Sequence, residues 1–204
     1  MERLLVVVTG TVNPDNTTAT NLYLPTGELS RTWGSRVYPV DYTYENQGRL
    51  KTLTTYRDFV GNAGKDVTTW NYATNSSRLA SKVYADGKSV GYTYTDGGRV
   101  LTRKWVRNLT TSYEYHPDGM MKTTSYSDST PAVSMGYTRE GWVKTMTGGA
   151  ESGTTSLEYN EFGQSVSESV SGTGALLSGV GLIRGYDSMQ RASTFKAQLG
   201  AVVL

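Results

Sequence analysis

Cysteine is absent from this 204-residue chain, and histidine occurs once. That excludes a disulfide framework, a thiolate metal site and a cysteine nucleophile. A single histidine also leaves little from which to assemble a metal centre or an acid–base relay. Charged residues make up only 19% and the net charge is +2. Lys and Arg are dispersed, which argues against the clustered basic surface that a nucleic-acid partner requires. No apolar stretch approaches a membrane span. The run Leu4–Val8 at the N-terminus is too short for a signal-peptide core, so the chain is expected to be an interior segment of a longer protein. Helix formers are scarce, and no long segment repeats apolar residues at helical spacing.

What fills the chain instead is 29 threonines, 20 serines, 15 tyrosines and 23 glycines. Thr and Tyr suit a pleated, half-buried surface, while Gly punctuates turns. The composition predicts an all-β fold.

Internal repetition is the main signal. Tyr-x-x-x-Gly recurs as Tyr23–Gly27, Tyr44–Gly48, Tyr94–Gly98, Tyr115–Gly119, Tyr137–Gly141 and Tyr159–Gly163, with degenerate copies at Tyr72 and Tyr186. Successive tyrosines are separated by 21, 28, 22, 21, 22, 22 and 27 residues. Two positions before the tyrosine stands another large apolar residue in most copies (Tyr42, Trp70, Tyr92, Tyr113, Met135, Leu157). A spacing of two puts both side chains on one face of a strand. His116-Pro117-Asp118-Gly119 has the composition of a type I turn, and the following Gly is expected at positive φ, closing a hairpin with a bulge. A second, more variable turn lies midway through each copy, as at Trp33-Gly34-Ser35-Arg36 and Tyr84-Ala85-Asp86-Gly87-Lys88. Each copy therefore reads as two antiparallel strands. About eight copies make one array over residues 1–204 with roughly sixteen strands, a partial repeat at 1–22, a truncated end at 192–204 and no separate catalytic domain. Open sheets of that breadth curl, so strong curvature is expected. Gly148, placed in an insertion, is expected to tolerate Val better than Gly119 does.

The segments Tyr44-Glu45-Asn46-Gln47-Gly48-Arg49-Leu50, Tyr94-Thr95-Asp96-Gly97-Gly98-Arg99-Val100 and Gly185-Tyr186-Asp187 resemble the YD repeat of RHS proteins. The resemblance runs from about Tyr23 to Arg191, although Asp follows the tyrosine only at Asp187. The family includes bacterial polymorphic toxins, the B and C components of Tc toxins, wall-associated proteins and teneurins. It implies a β-hairpin strip spiralling into a shell, with a secreted or cell-surface location as part of a larger protein. The implied partners are the remainder of the shell and an enclosed toxin domain. The family's core-associated segment with its self-cleaving aspartates has no counterpart here, and no distinct sequence follows the repeats.

Candidate chemistry is sparse. His116 occupies a turn, where other copies place Glu45, Thr95 or Asn160. Gly172-Thr173-Gly174 and Gly179-Val180-Gly181 lack the following helix of a dinucleotide site, and Gly87-Lys88-Ser89 lacks the upstream Gly of a phosphate loop. Among Glu151, Glu158, Glu161 and Glu168, residues 158 and 168 could meet across a hairpin as a carboxylate pair; solvated strand charges are the plainer account. Arg103-Lys104-Trp105-Val106-Arg107 is basic with an aromatic inside, but isolated. Asn16, Asn75 and Asn108 begin glycosylation sequons that matter only in a glycosylating host. No catalytic residue, cofactor or metal site is expected. Three functions stay open: a non-catalytic shell segment, a surface module binding glycans or a partner cell through stacked aromatics, and an excised array without independent function. Exposed strand edges would also permit edge-to-edge self-association.

Overall fold

Residues tolerant of left-handed backbone close most of the connections, and Thr- and Tyr-rich strands run between them. The computed structural model describes residues 9–148, 153–172, 177–200 and 202–203. Among these there is no helix, and the all-β expectation holds. The chain forms two compact units, Met1–Tyr92 and Thr93–Leu204.

In the first unit β1 (Gly10–Val12), β2 (Thr18–Tyr23), β3 (Leu29–Gly34), β4 (Val40–Tyr44), β5 (Leu50–Asp58), β6 (Ala63–Tyr72), β7 (Leu79–Val83) and most of β8 (Ser89–Tyr94) follow one another. Each pairs antiparallel with the next. The second unit takes the end of β8 and continues with β9 (Val100–Lys104), β10 (Thr110–Tyr115), β11 (Met121–Tyr126), β12 (Val133–Tyr137) and β13 (Val143–Gly148). It ends with β14 (Thr154–Tyr159), β15 (Ser165–Ser171), β16 (Val180–Tyr186), β17 (Ala192–Leu199) and β18 (Val202–Val203). From β9 onward the pairing is again antiparallel between sequence neighbours. The eight tyrosine copies supply β2 to β17, which accounts for the expected sixteen strands.

The turn after each signature tyrosine has a fixed construction. In the Tyr44 copy the Glu45 N–H donates to the Arg49 carbonyl and the Gly48 N–H to the Glu45 carbonyl, both at 2.9 Å. The same two bonds follow Tyr23, Tyr94, Tyr115, Tyr137, Tyr159 and Tyr186. Gly27, Gly48, Gly98, Gly119, Gly141 and Gly163 lie at φ between 75° and 99°, a region that costs a side chain steric strain. In the Tyr186 copy Gln190 takes this place at φ 62°. Register then slips by one: Thr43 faces Thr52 but Tyr44 faces Leu50, so Lys51 is extra. Six other copies carry the same bulge at their tyrosine. Tyr72 differs in that its turn to Leu79 has one more residue than the turn from Tyr44 to Leu50, which removes the need for a left-handed glycine.

The second connection reuses this turn in two copies, at Tyr84–Lys88 with Gly87 at φ 78° and at Trp105–Leu109 with Asn108 at φ 62°. Gly148 corrects an expectation. It closes β13 opposite Val133 at φ 103°, and a Cβ there would overlap the main-chain carbonyl oxygen of Ala132. At Gly119 the obstacle is the Arg99 guanidinium, which can swing aside. Gly148 is thus the more demanding of the two.

Few side chains are buried: Tyr56, Val90 and Thr111 among the described residues. Many others are half-buried. Cohesion therefore rests on contacts between adjacent copies, as in other repeat architectures.

Candidate functional site

Most strands that end in a signature tyrosine aim its hydroxyl at the preceding copy. Tyr44 donates to the Leu29 carbonyl at 2.8 Å and Tyr72 to the Leu50 carbonyl at 2.9 Å. Tyr115 donates to Val100 at 2.8 Å, Tyr159 to Val143 at 2.7 Å and Tyr186 to Ser165 at 3.0 Å. In all of these the acceptor lies two residues after the glycine of the preceding copy. Tyr137 departs, its hydroxyl meeting Met135 Sδ at 3.5 Å.

The residue after each glycine extends over the next copy. Arg49 lies 4.2 Å above the Tyr72 ring and Arg99 5.7 Å above the Tyr115 ring, cation–π geometry that attracts charge to the ring face. Trp142 packs on Tyr159 at 5.3 Å between centroids, and Gln164 Nε2 donates to the Gln190 carbonyl at 2.9 Å. A Cβ on Gly141 would come 3.6 Å from Met120 Sδ, and one on Gly163 2.6 Å from Trp142 Cζ2. The glycine thus serves twice, for backbone conformation and as a seat for this side chain. In four copies the residue after the tyrosine (Thr95, Thr138, Asn160 or Asp187) caps the turn. Asp187 Oδ1 accepts from the Met189 and Arg191 N–H groups at 2.9 Å, and Asn160 Oδ1 from Phe162 and Gln164 at 3.0 Å.

A second polar arrangement, unsuspected from sequence, joins β3, β4 and β5. Arg31 donates to Asp41 through Nε at 2.5 Å and Nη2 at 2.6 Å, and the Tyr56 hydroxyl donates to Asp41 Oδ2 at 2.5 Å. Phe59 meets the Tyr56 ring edge-on at 5.3 Å. The Arg31 guanidinium, ahead of the Tyr56 hydroxyl, holds the Asp41 carboxyl below its ordinary value despite partial desolvation. Tyr56 is pushed up by donating to that carboxylate and then by burial. The two charges of the cluster satisfy each other.

His116 sits edge-on to Tyr137 at 5.9 Å with Nε2 3.2 Å from the Met135 carbonyl. Glu158 and Glu168 do not meet: Glu158 is opposite Ser167 while Glu168 is opposite Leu157. Since Leu157 and Glu158 are consecutive on a strand, the two carboxylates point to opposite faces, and Glu168 pairs with Arg184 at 3.2 Å. Glu161 is exposed at a turn; Glu151, Thr173 and Gly174 lie outside the described residues. Gly179 is in a turn and Gly181 in β16, with no helix after either. Arg103 folds onto the Trp105 ring at 3.6 Å, and Trp105 Nε1 donates to Thr111. Asn16, Asn75 and Asn108 are exposed turn residues.

No family model matches the chain, and no curated protein matches it. Among solved structures, the crystal structure of TcdB2-TccC3-TEV is similar with a TM-score of 0.72 and 14% identity over 92% of this chain. That of TcdB2-TccC3 gives 0.67 and 14% over 94%. The chain spans about a tenth of their length, 10% and 11%. The likeness is one of fold.

Proposed function

We propose that the chain is a non-catalytic structural segment of an RHS/YD-repeat shell that encapsulates or scaffolds a secreted toxin. The observation that carries this reading is the fold shared over 92% of the chain with TcdB2-TccC3-TEV. It is supported by the use made of the recurring side chains: tyrosine hydroxyls, turn caps and post-glycine residues bond to their own copy or a neighbouring one. In this reading the partners are the remainder of the shell and an enclosed toxin domain, and the location is secreted or cell-surface. The chain itself performs no turnover.

Two measurements test this. The purified chain, screened against hydrolase, nuclease and transferase substrates, is expected to be inert; turnover abolished by one substitution would overturn the proposal. The protein made from its complete gene is expected to shield a region outside this segment from added protease until the shell is unfolded. Immediate digestion of everything beyond the repeats would also sink it.

A further inference from the structure

The connection from β9 to β10 is built like that from β7 to β8, with Trp105 to Leu109 standing where Tyr84 to Lys88 stand. The two turns differ in how their charge is used. Asp86, third in its turn, has its carboxylate occupied: Oδ1 accepts from the Lys88 N–H at 3.0 Å and Oδ2 pairs with Lys88 Nζ at 3.2 Å. Arg107 holds the third position of the other turn, but the fifth is Leu109, which offers it no charge. Arg107 forms no ion pair or side-chain hydrogen bond with any described residue.

Beside this turn lies a cleft of about 260 Å³, with Trp105, Leu109 and Tyr126 in its lining together with Arg107 and Asp128. Thr111 is buried and faces Tyr126 across the β10–β11 pair, so these two side chains share one face. Thr111 Oγ1 accepts from the Trp105 indole N–H at 2.8 Å, and the Arg103 guanidinium lies 3.6 Å from the ring centre. The indole is thus fixed before a ligand arrives, which lowers the entropy lost on binding. Trp105 and Tyr126 are still 37% and 39% exposed. Asp128 Oδ1 accepts from the Thr130 N–H at 3.0 Å. Thr130, and after it the Arg107 charge, holds the Asp128 carboxyl below its ordinary value, so it is ionised at neutral pH. Asp128 and Arg107 thus act on each other through space without closing into an ion pair.

We propose that this cleft binds a free α-amino acid with an apolar side chain. The ligand's ammonium meets Asp128, its carboxylate meets Arg107, and its side chain lies against Leu109 and the two rings. Charge-assisted hydrogen bonds are the stronger kind, and apolar surface removed from water adds to them. A ligand with a single charge satisfies one of the two side chains and meets a like charge on the other. An uncharged ligand leaves both without a partner. The volume falls just under the range of pockets that take drug-sized molecules, in keeping with a ligand as small as one amino acid. The site goes beyond the shell reading and does not depend on it.

The test is calorimetric titration of the full chain, at low ionic strength, with L-leucine, leucinamide and N-acetyl-leucine. Leucinamide lacks the carboxylate and N-acetyl-leucine lacks the ammonium, so each is expected to bind about tenfold or more weakly than leucine. Arg107→Gln is expected to weaken leucine to a similar degree but not leucinamide, whose like charge it removes. Asp128→Asn keeps an acceptor for the Thr130 N–H; it is expected to weaken leucine but not N-acetyl-leucine. Absence of saturable leucine binding, a blocked ligand binding as tightly as leucine, or leucine binding unchanged by either substitution would each overturn the proposal. The blocked ligands are read on the unsubstituted chain, so the outcome does not hang on a variant that fails to fold.

Discussion

The hydroxyl of Tyr159 donates to the carbonyl oxygen of Val143, one copy earlier, at 2.7 Å. The donor is a side chain and the acceptor is main chain, so the bond fixes the end of one hairpin to the backbone of its predecessor. Four further tyrosines make the equivalent bond. With so few buried side chains among the described residues, such rungs hold a larger share of the stability than they would around a deep core.

Tyr159→Phe removes the hydroxyl and leaves the ring stacked on Trp142. A net hydrogen bond contributes about 1 kcal/mol, which for a chain of this size moves the melting midpoint by about 2–4 °C. Thermal unfolding followed by circular dichroism measures it. A midpoint identical to that of the unsubstituted chain would mean the rung contributes nothing.

Gly148→Ala is expected to destabilise more than Gly119→Ala. Both positions have positive φ, so the backbone strain is shared. The difference lies in what the new methyl meets: a main-chain carbonyl at Gly148 and a mobile guanidinium at Gly119. Overpacking against fixed atoms costs about 1–3 kcal/mol. Urea titrations of the two variants give the ranking, and the reverse order would refute the assigned cause.

Asp41→Asn is expected to cost about 2 kcal/mol at neutral pH, since hydrogen bonds to a charged group are among the stronger ones. The pH dependence follows from the lowered folded pKa of Asp41. Its contribution is present above the ordinary carboxylate range near about 4 and is lost as pH falls through the folded value. The stability gap between the unsubstituted chain and the Asp41→Asn variant should therefore close on acidification. A gap that stays constant down to strongly acidic pH would contradict the ion pair. Tyr56 has the opposite sign: its raised value means that its contribution is present below about pH 10 and lost above it.

Gln190→Gly is expected to stabilise. A non-glycine residue in the left-handed region costs about 1–2 kcal/mol, against about 0.5–1 kcal/mol for the extra freedom of glycine in the unfolded chain. The substitution also removes Gln190 Oε1, which is buried without a hydrogen-bond partner, and spares the main-chain carbonyl that accepts from Gln164. The net gain is about 1 kcal/mol, read as a higher denaturant midpoint. A lower midpoint would show that the side chain contributes packing that outweighs its strain.

The turns were legible in the sequence because their requirement falls on one residue: a left-handed backbone selects glycine, and Gly48, Gly98, Gly119, Gly141 and Gly163 all adopt it. The tyrosine rungs were not, because their acceptors are carbonyls of Leu29, Leu50, Val100, Val143 and Ser165. A carbonyl is common to all residues and leaves no trace in the letters. Arg31, Asp41 and Tyr56 escaped notice for another reason. They come together only through the register of β3 on β4 and of β4 on β5, the latter shifted by one at the Tyr44 bulge. The demand at Gly148 leaves no trace in its own segment because its obstacle, Ala132, belongs to the segment leading into a neighbouring strand.

A bond that ends on a main-chain oxygen places no condition on the identity of the residue behind it. Adjacent copies here share little beyond tyrosine and glycine, yet they lock together through the same atoms. Gene duplication or recombination that adds, deletes or exchanges a whole copy would deliver a compatible acceptor every time. Arrays of this kind can change length in steps of one copy and drift at their outward-facing letters without relearning how to join.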